Sequence, residues 1–150
     1  MGAVVIKVII EHSNDYEKQF IIKCSDVDEE VENIKLLVES YGERLEGRLG
    51  DEIVFIKPAE IYYFEYVDYN VFAYTSNNVY KIAHSLDKLE KTYAYESFFR
   101  CSKSMIINLN HVEKLKSIMG NKIIATLDNN EEIIISRHFS KMIRAYLKAE

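Results

Sequence analysis

Beyond residue 50, hydrophobic residues occur in short segments of the length typical of β-strands. Eight segments are rich in Val, Ile, Phe and Tyr, and turn-forming residues separate most of them. Strands are therefore predicted at residues 52–57, 61–67, 71–75, 79–83, 105–109, 112–117, 122–127 and 132–136. Tight turns are predicted at residues 68–70, 76–78, 119–121 and 128–130, and Pro58 is expected to end the first strand. This part of the chain is predicted to be a strand-dominated domain.

Two segments of the same region have the periodicity of short helices. Ser85 can cap a helix over residues 86–94. A second helix is predicted over residues 138–147, where Met142 and Ile143 belong to an apolar side. Both helices are expected at the margins of the strand-dominated domain.

The first 50 residues have a different pattern. Residues 4–10 (VVIKVII) and 20–24 (FIIKC) are predicted strands, and a helix capped by Asp26 follows them. The apolar face of this helix contains Val27, Val31, Ile34, Val38 and Tyr41. Glycines 42, 47 and 50 indicate a boundary, so a strand-strand-helix unit is predicted over residues 1–50 and a second domain over 51–150.

So small a unit can hardly bury both faces of its sheet alone. We expect it to pack on the rest of the chain or on a second copy of itself. The residues predicted to mediate dimerisation are Val31, Ile34 and Val38.

Composition places the chain among ordinary globular proteins, with 48% hydrophobic and 29% charged residues. Its apolar runs are much shorter than the roughly 20 residues of a membrane span, and its N-terminus lacks a signal-peptide pattern. A cytoplasmic protein without membrane insertion is therefore predicted. Cys24 and Cys101 form no metal-binding pattern and are expected to be free thiols.

Charge is divided unevenly along this chain of net charge −5. Residues 1–50 contain 6 Lys/Arg and 11 Asp/Glu, whereas residues 97–150 contain 9 Lys/Arg and 5 Asp/Glu. A basic segment on an acidic protein is typical of a surface that binds a polyanion, although a solvated surface has the same composition.

No pattern of catalytic residues is found. The four histidines are scattered without the spacing of a metal site, and no glycine-rich phosphate loop or nucleophile motif is present. We therefore expect no enzymatic activity, no metal and no cofactor.

The segment SFFRCSKSMIINLNHVEKL, residues 97–115, sets Arg100 and Lys103 around a thiol and a hydroxyl just before an apolar strand. It resembles the signature of the LytTR DNA-binding domain family of bacterial transcription regulators. Three further segments resemble the family in the right order: IYYFEYVDYNVFAYT, SLDKLEKTY and EIIISRHFSKMIRAYL. The resemblance covers about residues 51–148.

This resemblance implies a mainly β fold, α+β overall, in which loops of an antiparallel β domain enter successive major grooves of double-stranded DNA. It implies that DNA is contacted by the loop at residues 68–71, the loop at 100–104 and the start of the last helix. The implied DNA-binding residues are Tyr69, Asn70, Arg100, Ser102, Lys103, Ser104, Arg137, His138 and Lys141. Ser102 and Lys103 stand where the family often has His and a basic residue.

The resemblance also implies a bacterial regulator. The 50 residues before the domain are too few for a receiver domain, so a regulator without a receiver is predicted, acting as a homodimer or with a regulatory partner protein. Two other classes remain open. Its 11 Tyr and 7 Phe could stack single-stranded RNA, or Tyr62, Tyr63, Tyr66 and Phe72 could line a pocket for a small molecule or protein.

Overall fold

The computed structural model describes residues 7–15, 19–40, 43–94 and 96–149. Its helices are α1 (Glu29–Ser40), α2 (Leu86–Thr92) and α3 (Arg137–Ala149). Its strands are β1 (Leu45–Leu49), β2 (Glu52–Ile56), β3 (Ile61–Val67), β4 (Asn70–Thr75), β5 (Val79–Ile82), β6 (Phe98–Ser102), β7 (Met105–Asn108), β8 (Val112–Ile118), β9 (Lys122–Leu127) and β10 (Glu132–Ile135). None of the described helices is long and apolar enough to cross a membrane.

The strands form two antiparallel sheets. The first sheet has seven strands in the order β2-β1-β5-β4-β3-β7-β6, and the second has three in the order β10-β9-β8. Every pairing between neighbouring strands is antiparallel. The predicted fold class, a mainly β domain of antiparallel strands with short helices, is confirmed.

Two hydrophobic cores lie on opposite faces of the first sheet. Ile106 and Ile107 are both fully buried but belong to different cores, because successive residues of a strand point to opposite faces. The first core lies under α2 and contains Leu45, Ile56, Ile61, Phe64, Val71, Ala73, Ile82, Leu86, Leu89, Tyr93, Phe98 and Ile106. The second joins both sheets to α3 and contains Cys101, Ile107, Ile123, Ala125, Leu127, Ile133, Ile135 and Ile143.

All eight strands predicted beyond residue 50 are present, with ends shifted by a residue or two. The helices after Ser85 and before the C-terminus are confirmed, and the Ser85 hydroxyl accepts a hydrogen bond from Lys88 N as a cap. Two strands, β1 and β6, were not predicted. β1 lies in the glycine-rich stretch that was interpreted as a boundary, so the first sheet begins before residue 51.

Gly47 lies inside β1, where the neighbouring side chains leave no room for a Cβ atom. A Cβ atom at this position would lie 2.7 Å from Ile56 Cδ1 and 2.9 Å from Tyr80 Cβ. The glycine therefore permits a close approach of neighbouring side chains and does not mark a loop.

The N-terminal prediction was wrong in part. Residues 7–10 and 20–24 form no strand, and residues 4–6 of the first predicted strand lie outside the described residues. Neither segment belongs to one of the two sheets of the described chain. Helix α1 is present, but its cap is Asp28, whose Oδ1 accepts a 2.9 Å hydrogen bond from Val31 N. Val27 precedes the helix and is exposed, and Tyr41 lies outside the described residues.

A histidine clamp joins the two sheets. His111 Nδ1 lies 2.8 Å from Asp128 Oδ2, and its Nε2 lies 2.7 Å from the carbonyl oxygen of Ala59. The His111 ring also stacks on Tyr62 at a centroid distance of 4.2 Å. Hydrogen bonds from His111 and then Tyr62 lower the pKa of Asp128. The clamp connects the β9–β10 turn to the short helical turn Pro58–Glu60 that follows β2.

Candidate nucleic-acid interface

Three chain connections meet at one end of the first sheet. Tyr66 N, near the end of β3, donates a 2.8 Å hydrogen bond to Ser104 O in the β6–β7 loop. Ser136 N, just before α3, donates a 2.9 Å hydrogen bond to Cys101 O in β6. The β3–β4 turn, the β6–β7 loop and the first turn of α3 therefore lie side by side, and we call these three connections the loop edge.

The β3–β4 turn holds two residues in the left-handed conformation. Asp68 has φ 48° and Tyr69 has φ 65°, as expected for the mirror-image turns that join antiparallel strands. The Asn70 side-chain amide donates a 2.8 Å hydrogen bond to Asp68 O, which leaves its carbonyl oxygen to accept elsewhere. The Tyr69 side chain is 93% exposed. The turn thus presents an aromatic ring to solvent, beside the half-buried amide of Asn70.

The β6–β7 loop is a tight hairpin with hydroxyl groups on both sides of a lysine. Ser104 N donates a 3.2 Å hydrogen bond to Ser102 Oγ, and the Lys103 side chain is exposed. A register shift between Arg100 and Ser102 marks a β-bulge before the loop. Cys101 lies within the bulge and is fully buried, and this burial raises the pKa of its thiol to about 12.

Arg100 lies under this loop and is bound on several sides. Its Nη1 is 3.0 Å from Asp87 Oδ1 and 3.1 Å from Glu90 Oε2, both on α2. Its Nε donates a 2.9 Å hydrogen bond to Ser102 O, and its Nη2 donates to Lys103 O. The Arg100 side chain is only 15% exposed. Sequence reasoning missed Asp87 and Glu90, because nothing local connects a helix residue with a strand residue ten or more positions away.

Helix α3 begins with cations at its positive end. Ser140 N donates a 2.8 Å hydrogen bond to Ser136 O, and the buried Ser140 hydroxyl donates to Ile135 O, so the start of the helix is fixed to β10. The first turn contains no acidic residue. Arg137, His138 and Lys141 are exposed there. Free N–H groups and cations together favour an anion at this point.

A cleft of about 560 Å³ lies between the β3–β4 turn, the β6–β7 loop and the segment from β5 to α2. Its lining includes Tyr66, Tyr69, Lys81 and Lys103. Tyr62 and Tyr63 instead pack against the second core, and Phe72 does not line the cleft. The four aromatic residues predicted to form one pocket therefore do not converge within the described chain.

The structure thus brings together the predicted residues of all three connections. Tyr69, Ser104, Lys103, Arg137, His138 and Lys141 are exposed, Asn70 and Ser102 are half-buried, and Arg100 is engaged in ion pairs below the loop.

Comparison with known families gives one match that spans most of the chain. The sequence pattern of the LytTr DNA-binding domain matches residues 51–148. The solved structure of a LytTr DNA-binding domain from Bacillus cereus superposes with a TM-score of 0.67. That match covers 70% of this chain and 96% of the solved chain at 21% sequence identity, and it shows a common fold.

Relatives in two bacteria extend over nearly the whole chain. An uncharacterized HTH-type transcriptional regulator of Staphylococcus aureus strain MRSA252 is 30% identical over 138 residues, which are 91% of this chain and 93% of the relative. The sensory transduction protein LytT of Bacillus cereus is 24% identical over 138 residues, 92% of this chain and 52% of that protein.

Proposed function

Because this chain belongs to the LytTr DNA-binding domain family, we propose that it regulates transcription by binding specific sequences of double-stranded DNA through its loop edge. Its relatives are bacterial and include proteins named as transcriptional regulators. The DNA-binding activity follows from the family, whereas the sequence specificity and the use of the loops are our proposals.

The observation that carries the proposal is the adjacency of the three connections. Two backbone hydrogen bonds, Tyr66 N to Ser104 O and Ser136 N to Cys101 O, hold them side by side. The exposed cations Lys103, Arg137 and Lys141 are thereby collected at one end of an otherwise acidic protein. A local cluster of cations attracts the DNA backbone whatever the net charge of the protein.

Loops are the parts of this surface best suited to reach base edges. Within residues 7–15, 19–40, 43–94 and 96–149, no two helices are joined by a short turn, since five strands separate α1 from α2 and another five separate α2 from α3. A helix-turn-helix reader is therefore absent from the described chain. The elements that can enter the major groove are therefore the two hairpin tips of the loop edge and the start of α3.

The chemistry of the side chains suggests different roles. Arg137 stands at a helix start fixed to a strand, so its guanidinium can make a bidentate contact with guanine. Lys103, His138 and Lys141 suit phosphate contacts, as do the hydroxyls of Ser102 and Ser104. Tyr69 and Asn70 at the tip of the β3–β4 turn can contact sugars or base edges.

We further propose that the residues before β1 support a homodimer or the binding of a partner protein. Val31, Ile34 and Val38 are half-buried on one face of α1. Two DNA-binding modules joined in a dimer bind one duplex with a raised effective concentration. The site of action would be the cytoplasm, where bacterial DNA lies.

The test is a competition experiment with DNA from the region upstream of the protein's own gene. A footprint first locates a protected duplex, and fluorescence anisotropy then compares it with a scrambled duplex, single-stranded DNA and RNA of equal length at several salt concentrations. The proposal expects a preference for the footprinted duplex that persists at moderate salt. Equal binding of all four, or a preference for a single strand, would contradict it.

A further inference from the structure

Arg100, in β6 next to the loop edge, is held by four hydrogen bonds. Its guanidinium donates to two consecutive backbone carbonyls, that of Ser102 at the end of β6 and that of Lys103 in the β6–β7 loop. The same group pairs with the carboxylates of Asp87 and Glu90. One side chain thus connects the loop to helix α2, which is anchored in the first core by Leu86 and Leu89.

The geometry leaves the guanidinium little freedom to reach a ligand. The Arg100 side chain is 15% exposed, whereas Asp87 and Glu90 expose 83% and 42% of their side chains. All three guanidinium nitrogens have acceptors within the chain. Four of its five N–H groups are thereby used, which leaves one Nη2 hydrogen at the cleft that Arg100 lines with Asp87. A phosphate at that hydrogen would lie near the two carboxylates that Nη1 already holds, which disfavours the contact.

We propose that Arg100 is a positioning residue that fixes the shape of the β6–β7 loop through Asp87 and Glu90 and does not itself contact DNA. This inference rests on the proposed function of the loop edge. The loop is ordered before binding, so Lys103 and the two neighbouring serines lose less conformational freedom when DNA binds.

The proposal predicts a change in affinity for DNA that is opposite in direction to the change expected from charge alone. Removal of Asp87 and Glu90 deletes two negative charges near a DNA-binding surface, which by charge alone should tighten binding to every duplex. If the two carboxylates hold Arg100 in place, their removal loosens the loop and weakens the specific complex instead. We expect the double variant Asp87→Ala/Glu90→Ala to bind the footprinted duplex about two- to tenfold more weakly, the cost of ordering a mobile side chain or loop.

A control variant gives the effect of the same change in net charge away from the loop edge. Asp51→Ala/Glu52→Ala also removes two exposed carboxylates, but at the β1–β2 turn and outside the Arg100 contacts. It should bind the footprinted duplex as tightly as the parent or slightly more tightly. The variant Arg100→Lys provides a further test, because a single ammonium keeps the charge but lacks the planar fork that holds several acceptors. It should lose specific affinity as the double-alanine variant does, without a change in the salt slope.

A second measurement does not depend on DNA. Backbone order parameters of Lys103 and Ser104 in the free protein should be near the rigid value of about 0.85 in the parent and fall toward about 0.6 in the double-alanine variant. Melting temperature, with circular dichroism, distinguishes this local loosening from a general loss of stability.

Two results would overturn the proposal. One is tighter binding of the footprinted duplex by Asp87→Ala/Glu90→Ala, which would mean that the carboxylates restrain an arginine that contacts DNA. The other is unchanged order of Lys103 and Ser104 in that variant. Failure of the proposed function gives a different result, since the parent itself would then show no duplex preference while the order parameters still report on Arg100.

Discussion

Tyr69 combines a backbone conformation that favours glycine or asparagine with a side chain that is 93% exposed. A bulky residue with positive φ is uncommon, because this backbone conformation is strained for a side chain of that size. The exposed ring gains little within the chain in return. Such a residue at the tip of a loop is a candidate for contact with a ligand.

The substitution Tyr69→Asn should separate stability from binding. Asparagine adopts the left-handed conformation more readily, so the free energy of unfolding should be unchanged or increase by up to about 1 kcal/mol. Loss of the aromatic contact should weaken binding to the footprinted duplex. Urea unfolding and anisotropy titration measure the two effects, and Ser76→Asn in the next turn serves as a control. A variant that is stabilised yet binds as the parent does would remove Tyr69 from the interface.

Arg137 carries its positive charge at the N-terminal end of α3, where the helix dipole disfavours a cation. That placement is unfavourable for the isolated protein and favourable once an anion or an electron-rich base edge is bound. If Arg137 makes a bidentate base contact, Arg137→Ala should cost about 1–3 kcal/mol on the specific duplex and relax the preference at one base pair. Anisotropy on duplexes with single base-pair changes tests this. An unchanged affinity in a folded variant would show that Arg137 is not a base reader.

Lys103→Ala is expected to behave differently, because an exposed lysine at a hairpin tip suits a phosphate contact. It should weaken specific and scrambled duplexes alike and reduce the slope of log affinity against log salt by about 1. The slopes come from titrations at four or more salt concentrations. A loss confined to the specific duplex would instead assign Lys103 to base reading.

At the scale of elements, local pattern predicted most strands because each one places enough Val, Ile, Phe and Tyr between turn residues. β1 was missed because Gly47, which indicates a loop in isolation, is required by the packing of Tyr80 and Ile56. Residues 20–24 form no strand although their composition favours one, because strand propensity depends strongly on the packing context.

The candidate site, too, could be predicted from the sequence only in part. The three connections were predicted because each lies within one short segment that resembles the family, such as the segment around Lys103 or the one around Arg137. The partners of Arg100 could not be predicted, because Asp87 and Glu90 come from a helix whose position depends on the whole first core.

The histidine clamp leads to a prediction on pH. The pKa of Asp128 is lowered below its ordinary value of 3.8, first by the hydrogen bond with His111. Because the folded pKa lies below the unfolded one, the carboxylate stabilises the fold above about pH 4, and this contribution is lost as the pH falls through the folded pKa. Asp128→Asn should therefore be less stable than the parent at neutral pH, with a difference that shrinks in acid.

Urea unfolding followed by circular dichroism between neutral pH and about pH 3 measures this difference. His111→Phe is the companion variant, because it keeps a ring to stack on Tyr62 but removes the hydrogen bond to Asp128. It also removes the bond to Ala59 O, a loss that does not depend on the charge of Asp128. It should reproduce the same dependence on pH. A difference between Asp128→Asn and the parent that stays constant with pH would show that the clamp does not involve an ionised carboxylate.

At the scale of the whole molecule, apolar surface is concentrated in the N-terminal part of the described chain. The exposed large hydrophobic residues before α1 are Val8, Ile9, Ile10, Phe20, Ile21, Ile22 and Val27. Globular proteins seldom expose so many neighbouring apolar residues unless another surface covers them. A second copy of the chain is a suitable cover, because most oligomers are built from identical chains.

Helix α1 is the best place to test self-association, because Val31, Ile34 and Val38 define an apolar face on it. Ile34→Glu puts a charge beside the half-buried Val31 and Val38, and a charge in an apolar interface is costly. Sedimentation velocity should therefore show a lighter species than the parent at equal concentration. Affinity for a duplex with two binding sites should fall more than affinity for a duplex with one, because only the former gains from linked modules. Lys35→Glu, on an exposed side chain of the same helix, should leave the sedimentation coefficient unchanged. If Ile34→Glu retains the parent's mass and stability, this face of α1 is not the interface.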